Sequence, residues 1–197
     1  MKEVIINKQL SMIQKHNDFD EDKIAIIKYG LESIYILITK TIIILSVSFI
    51  LGLIKETIIF LVCYSLIRIP SFGLHATKSW ICLVASLLIF IILPYICSII
   101  VVPFYFKIII GIITILFVLK NAPADTYKKP IISKKRRLFF KIGSTFVAVT
   151  MIIGALIIKN QFMSNCLIVS LILQCFMISP TVYKIFKLPY NNYKKYI

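Results

Sequence analysis

His75 and Cys82 are the side chains whose types and spacing support nucleophilic chemistry in this sequence. A thiol attacks as thiolate, and an imidazolium can pair with that anion before protonating a leaving amine. Cys82 is expected in the first turn of a helix N-capped by Ser79, where the helix dipole favours an anion, and Lys78 adds a positive neighbour. Geometry sets a condition on the pair. On one straight helix their spacing of seven residues returns to the same face but climbs about 10 Å, too far for a hydrogen bond. The chain must therefore turn between them, and Pro70, Gly73 and Thr77 to Ser79 suit a loop that folds back. Arg68 stands just before that loop, at a membrane-entry boundary.

Other chemistries lose their requirements. Of the eight acidic residues six precede position 33, and Glu56 and Asp125 are expected in loops. An intramembrane aspartyl protease or an acid-relay transporter needs carboxylates inside its spans, so both are excluded. No G-x-S-x-G elbow supports a serine triad. Cys63, Cys97, Cys166 and Cys175 have no close pair spacing and read as small packing residues, not as a disulfide framework. The two histidines, His16 and His75, have no cysteine at short ligand spacing, so neither a metal site nor a cofactor is expected. Asp125 is the one acid of the central basic segment and a candidate to orient His75; its alternative reading is a turn residue after Pro123.

The elements that must position these groups lie in a membrane. The chain has 197 residues, 59% of them hydrophobic, with a formal charge of +15 and a mean hydropathy of +0.93, more apolar surface than a soluble fold can bury. Lys and Arg collect between apolar runs, the positive-inside pattern and not the folded basic face of a nucleic-acid-binding protein. The expected class is all-α: a polytopic membrane helix bundle of about six transmembrane helices with both termini cytoplasmic. Residues 1–32 are expected as an amphipathic cytoplasmic segment, since they mix acids and bases and carry no signal-peptide core. Spans are expected at Ile34–Ile54, Thr57–Ile69, Trp80–Val102, Phe104–Leu119, Ile142–Ile158 and Phe162–Ser179, with a turn at Lys55 and Glu56. The transmembrane domain thus covers 33–180, and 181–197 form a basic cytoplasmic tail. The loop 120–141 is strongly basic and includes Lys134, Lys135, Arg136 and Arg137. That places it inside the cell, and counting back puts 68–79 on the same face.

The order R-x-x-x-x-G-x-H-A, then Cys82, then APADTYKKPI at 122–131 ahead of a basic run resembles the accessory gene regulator B (AgrB) family, over nearly the whole chain. The YGLE stretch at Tyr29 to Glu32 fits the same likeness. The resemblance implies a bacterial membrane endopeptidase of the thiol type in quorum sensing, with His75 and Cys82 as catalytic pair and Arg68 and Gly73 supporting them. The family commonly has two glycines before x-H; here Phe72 stands in place of the first. The implied substrate is a precursor peptide of the accessory gene regulator D (AgrD) type, cut near its C-terminal tail through an acyl-enzyme at Cys82 and released as a cyclic thiolactone.

The basic run at Lys134 to Arg137 is a candidate binding surface for an acidic precursor tail. The lipid bilayer is the second expected partner, and a homodimer is compatible with small spans that enclose little interior. The rival class is a non-enzymatic membrane transporter or export partner for a small peptide. It would need a polar path, for which the last two spans offer only Thr145, Thr150, Ser164, Asn165 and Gln174. A structural or sensory subunit is a third class, and it would tolerate loss of Cys82 and His75.

Overall fold

The computed structural model describes residues 2–14, 20–74, 79–126 and 130–196. Its elements are α1 (Lys2–Gln14), α2 (Glu21–Ile50), α3 (Ile54–Ser71), α4 (Ser79–Ile99), α5 (Phe104–Asn121), α6 (Lys134–Ile157), α7 (Gln161–Ile178), α8 (Pro180–Ile185) and a closing 3-10 turn at Asn192–Tyr196. Among the described residues no strand forms; one isolated bridge joins Phe72 and Ala124. The all-helical expectation holds. Five helices are long and apolar enough to cross a membrane: α2, α4, α5, α6 and α7. The sixth expected span, α3, has 18 residues but carries Lys55, Glu56 and Arg68.

The chain divides into two compact units, Met1–Val47 and Ser48–Ile197. In the first, α1 is followed by α2, which passes without a break through the expected segment boundary at residue 32. The second holds everything from the end of α2 onward.

α2 stops where Gly52 takes φ +70°. The Gly52 N–H donates to Phe49 O at 3.0 Å and the Leu53 N–H to Ser48 O at 2.8 Å, the paired bonds of a glycine-terminated helix end. The turn therefore falls at Gly52, not at Lys55 and Glu56 as expected. Those two enter the first turn of α3, where the glutamate complements the positive end of the helix dipole.

Within this unit α7 is central. It packs against α3, α4, α5 and α6, and its buried side chains occupy all sides of the helix, from Ser164 to Ile178. That explains why it has no solvent-directed polar stripe: a helix surrounded by others has no polar face to present. Asn160 caps its start by accepting from Met163 N–H at 3.0 Å. α3 meets α4 through Phe60, Tyr64 and Phe90, whose rings stack edge to face.

Two polar clusters inside the unit serve helix ends. Asn165 donates to Cys97 O and Ile100 O at 3.0 and 2.8 Å, satisfying carbonyls at the end of α4. Lys107, only 6% exposed, donates to Ser164 Oγ at 2.7 Å, and Ser164 Oγ donates in turn to Ala155 O at 2.5 Å. A positive charge is thereby linked to the C-terminal end of α6, where the helix dipole favours it.

α6 begins at Lys134, earlier than the apolar run alone suggests. Lys134 to Arg137 are its first turn, not part of a loop, because nothing in KKRRLFFK breaks a helix and Lys and Arg are good helix formers.

Candidate functional site

Pro70 lies in the last turn of α3 instead of the loop expected for it. Beyond Ser71 the helix ends abruptly: Phe72 takes φ 57°, ψ −135°, and Gly73 takes φ +119°. The strap Phe72–Leu74 is then fastened on every side. Arg68 folds back from α3 and donates to three successive carbonyls, Phe72 O at 2.6 Å, Gly73 O at 3.3 Å and Leu74 O at 2.8 Å. One planar guanidinium presents several donors in a fixed fork, which a lysine cannot copy. The Gly73 N–H donates to Ala124 O at 2.9 Å, the Ala124 N–H to Ser71 O at 3.0 Å, and the Leu74 N–H to Met177 O at 3.0 Å. From α7, Gln174 Nε2 donates to Phe72 O at 2.8 Å.

Only glycine fits at 73. A Cβ there would collide with the Arg68 guanidinium and lie 2.8 Å from Met177 O. Phe72 is a different case. Its left-handed backbone is a place for glycine, and a larger residue there costs about 1–3 kcal/mol. Its ring offsets that cost by stacking on Phe140, with centroids 4.9 Å apart at 86°. Phe72→Gly is therefore expected to shift stability by less than about 1 kcal/mol, the lost ring contact set against the relieved strain. Phe72→Ala keeps the strain without the ring and should cost about 3 kcal/mol. Thermal unfolding of the two variants in one detergent measures the difference.

His75 and Lys78 lie outside the described residues, and with them the pairing of His75 with Cys82. The turn required between them falls on residues 75–78, outside the described chain; on its two sides α3 ends at Ser71, Phe72–Leu74 is not helical, and α4 starts at Ser79. Cys82 sits in the first turn of α4, half-buried, as a thiol outside any disulfide. Cys63, Cys97 and Cys166 are buried and free of disulfides, as their reading as packing residues requires. Among the described residues no cluster of His, Cys, Asp and Glu could hold a metal.

Asp125 is 1% exposed and is held by the C-terminal tail. Oδ1 accepts from Asn192 N–H at 3.0 Å and Oδ2 from Tyr193 N–H at 2.9 Å. Ile131 N–H adds a longer bond at 3.5 Å. Its own carbonyl accepts from Tyr183 OH at 3.3 Å. Burial raises the Tyr183 phenol well above its ordinary pKa, which keeps it a donor. Arg137 turns inward as well: its Nη1 lies 3.8 Å from Asp125 Oδ2, and its guanidinium carbon stands 3.4 Å from the centre of the Tyr193 ring. Of the basic run, Lys134, Lys135 and Arg136 are exposed and Arg137 is not. Sequence reasoning missed Gln174 and the tail as parts of this region. Gln174 had one signal, a large amide in the apolar stretch 171–178, which needs a partner when buried.

The family model described as Accessory gene regulator B matches residues 6–178, the stretch that contains the strap, Cys82 and Asp125. The chain belongs to that family. It is 32% identical over 184 residues to a protein of Clostridium acetobutylicum described as AgrB-like, covering 93% of this chain and 88% of the relative. An AgrB-like protein of Listeria monocytogenes is 34% identical, covering 90% and 87%. The accessory gene regulator protein B of Staphylococcus aureus is 31% identical, covering 80% and 82%. No solved structure matches the chain. Family membership and the five apolar helices are consistent with a multi-pass membrane protein of the agr quorum-sensing system.

Proposed function

We propose that this AgrB-family protein is a membrane cysteine endopeptidase that cuts the C-terminal tail from an AgrD-type precursor peptide. The observation that carries this reading is the clamped strap between α3 and α4. It ends α3 just before His75. It also hands the chain to His75 from a backbone fixed by Arg68 and α7, the preorganisation that catalysis requires. Cys82 Sγ, as thiolate, attacks the scissile carbonyl. The leaving tail takes its proton at the new amine from the His75 imidazolium, and a thioester remains on Cys82. A cysteine thiol of the precursor, giving its proton to the now neutral His75, then attacks that thioester, closing a thiolactone and returning the Cys82 thiolate beside the His75 imidazolium.

The reading places the site at the cytoplasmic face with both termini on that side. The ends of α3, α5 and α7 and the start of α6 are tied together there by the strap, by Ala124 and by Asp125. The same end carries Arg68, Lys120, Lys134 to Arg137 and Lys141, as the positive-inside rule demands of a cytoplasmic face.

The test is to trap the intermediate. Purified protein in detergent is mixed with precursor lacking its ring-closing cysteine, and intact mass is read. An adduct equal to the precursor without its tail, released by hydroxylamine, supports the thioester. Release of tail with no hydroxylamine-labile adduct, even after rapid acid quench, overturns it.

The exposed cations Lys134, Lys135 and Arg136 crowd the first turn of α6, where the helix dipole disfavours positive charge by about 0.3–1 kcal/mol each. Their partner is the acidic precursor tail. Changing all three to glutamine is expected to raise KM roughly tenfold at low salt, with kcat unchanged. The gap should close as ionic strength rises, since exposed charges are screened within about 10 Å at 0.1 M. An equal KM at low salt would leave these residues with orientation alone.

A further inference from the structure

Two cavities beside α5 and α6 share two of their lining residues. One, of about 450 Å³, is walled by Lys120, Asn121, Arg137, Lys141, Tyr190 and Tyr193 together with neighbouring backbone. The other, of about 440 Å³, is lined by Leu119, Leu138, Lys141, Ile142, Thr145 and Phe146. Leu138 and Lys141 belong to both, so a cationic head runs on into an apolar trough. Ile142 and Phe146 in the trough are 61% and 68% exposed, on helices apolar enough to cross a membrane. The trough therefore opens toward hydrocarbon.

The head is short of negative charge. No carboxylate lines it, and Asp125 behind it is already engaged with two tail N–H groups and with Arg137. Arg137 Nη1 is buried without a hydrogen-bond partner.

We propose that this groove is a binding site for one anionic phospholipid, with the phosphate among Lys120, Arg137 and Lys141 and an acyl chain along Leu119, Ile142 and Phe146. An acidic peptide would satisfy the cations but leave an apolar trough facing sideways into the bilayer. A phospholipid matches both parts at once, and basic pockets between helices at the cytoplasmic surface suit anionic headgroups. Lys120 and Lys141 can lay their apolar stems along the trough while their ammonium groups meet the phosphate. The C-terminal tail supplies one wall through Tyr190 and Tyr193, so the lipid would tie the tail to α5 and α6. This site is separate from the peptidase reading and stands whether or not that reading does.

Native mass spectrometry of the full chain, loaded with phosphatidylglycerol or phosphatidylcholine, tests it. One retained phosphatidylglycerol per chain is expected. Each basic residue near an anionic lipid is worth about fivefold, so Lys120→Gln with Lys141→Gln should weaken retention roughly thirtyfold. Lys134→Gln with Lys135→Gln should not change it. Thr145→Trp, which fills the trough and leaves the cations in place, should also displace the lipid and gives a second reading if the lysine variant fails to fold. Equal retention of the two lipids, or an equal loss from the Lys134 and Lys135 changes, would overturn the proposal. So would retention unaffected by Thr145→Trp but abolished by a hexaglutamate competitor, which would mark a peptide site instead.

Discussion

Cys82→Ala and His75→Ala are each expected to reduce precursor cleavage at least about a thousandfold, with protein abundance unchanged. The magnitude follows from what each group does. Without the thiol no acyl-enzyme forms. Without the imidazole the thiol loses its activating partner and the leaving amine its proton donor, a contribution of about 10²–10⁴ for acid–base catalysis alone. Removing both together should cost little more than removing either one, because residues acting as a unit are strongly non-additive. Cys175→Ala is the control: that thiol contacts Thr114 O at 3.8 Å within the helix array and should retain cleavage. The measurement is conversion of tagged precursor co-expressed with each variant, at matched levels on an immunoblot. Full cleavage by Cys82→Ala would remove the thiol mechanism, and the peptide-export reading would take its place.

Cleavage lost in His75→Ala needs one further distinction, because the strap itself could collapse. Arg68 and Gln174 hold carbonyls of residues 72–74, none of which belongs to His75. His75→Ala should therefore leave thermal unfolding unchanged while abolishing turnover, whereas Arg68→Lys should lower both, since an ammonium cannot copy the planar fork that Arg68 spreads over three carbonyls.

Where local chemistry decided the outcome, the sequence was a sufficient guide. The start of α5 after Pro103 and the whole of α7 fall within a residue or two of the expected spans, because proline and an Asn N-cap punctuate apolar runs visibly. Two boundaries went wrong where charge was taken for a turn. Lys55 with Glu56 and Lys134 to Arg137 all lie in helices, since charged residues with long stems are good helix formers and Gly52 had already made the turn. The candidate residues were legible in their types and order; Cys82 stands in the first turn of α4 as expected, while His75 lies outside the described residues. What the sequence hid is long-range. Gln174 reaches Phe72 across 102 positions, and nothing near either residue announces that bond. Phe72 is hidden for another reason: a left-handed phenylalanine is read from sequence as an ordinary extended residue, and its stacking partner Phe140 lies on another helix.

The sequence placed residues 181–197 as a tail without showing what they touch, and Asp125 is the residue that holds them. Asp125→Ala is expected to destabilise the protein by about 3–5 kcal/mol, because buried backbone donors of the tail and one guanidinium lose a charged acceptor, each such bond being worth about 1.5–3 kcal/mol. Asp125→Asn should cost less, since the amide retains one acceptor oxygen while its NH2 faces a backbone donor. The same loss should reach catalysis. Ala124, one residue before, is bonded on both sides of the strap, to Ser71 O and from Gly73 N–H, so slack at 125 passes to the backbone that leads to His75. A double-mutant cycle separates the anchor from mere burial. Truncation after Lys187 removes both tail donors, and in that shortened chain Asp125→Ala should be neutral or stabilising, because it relieves a buried carboxylate of its lost partners. Thermal unfolding of the four proteins in one detergent supplies the cycle. Additive losses would mean that Asp125 stabilises the 122–131 segment alone and that the tail rests on the protein without holding it.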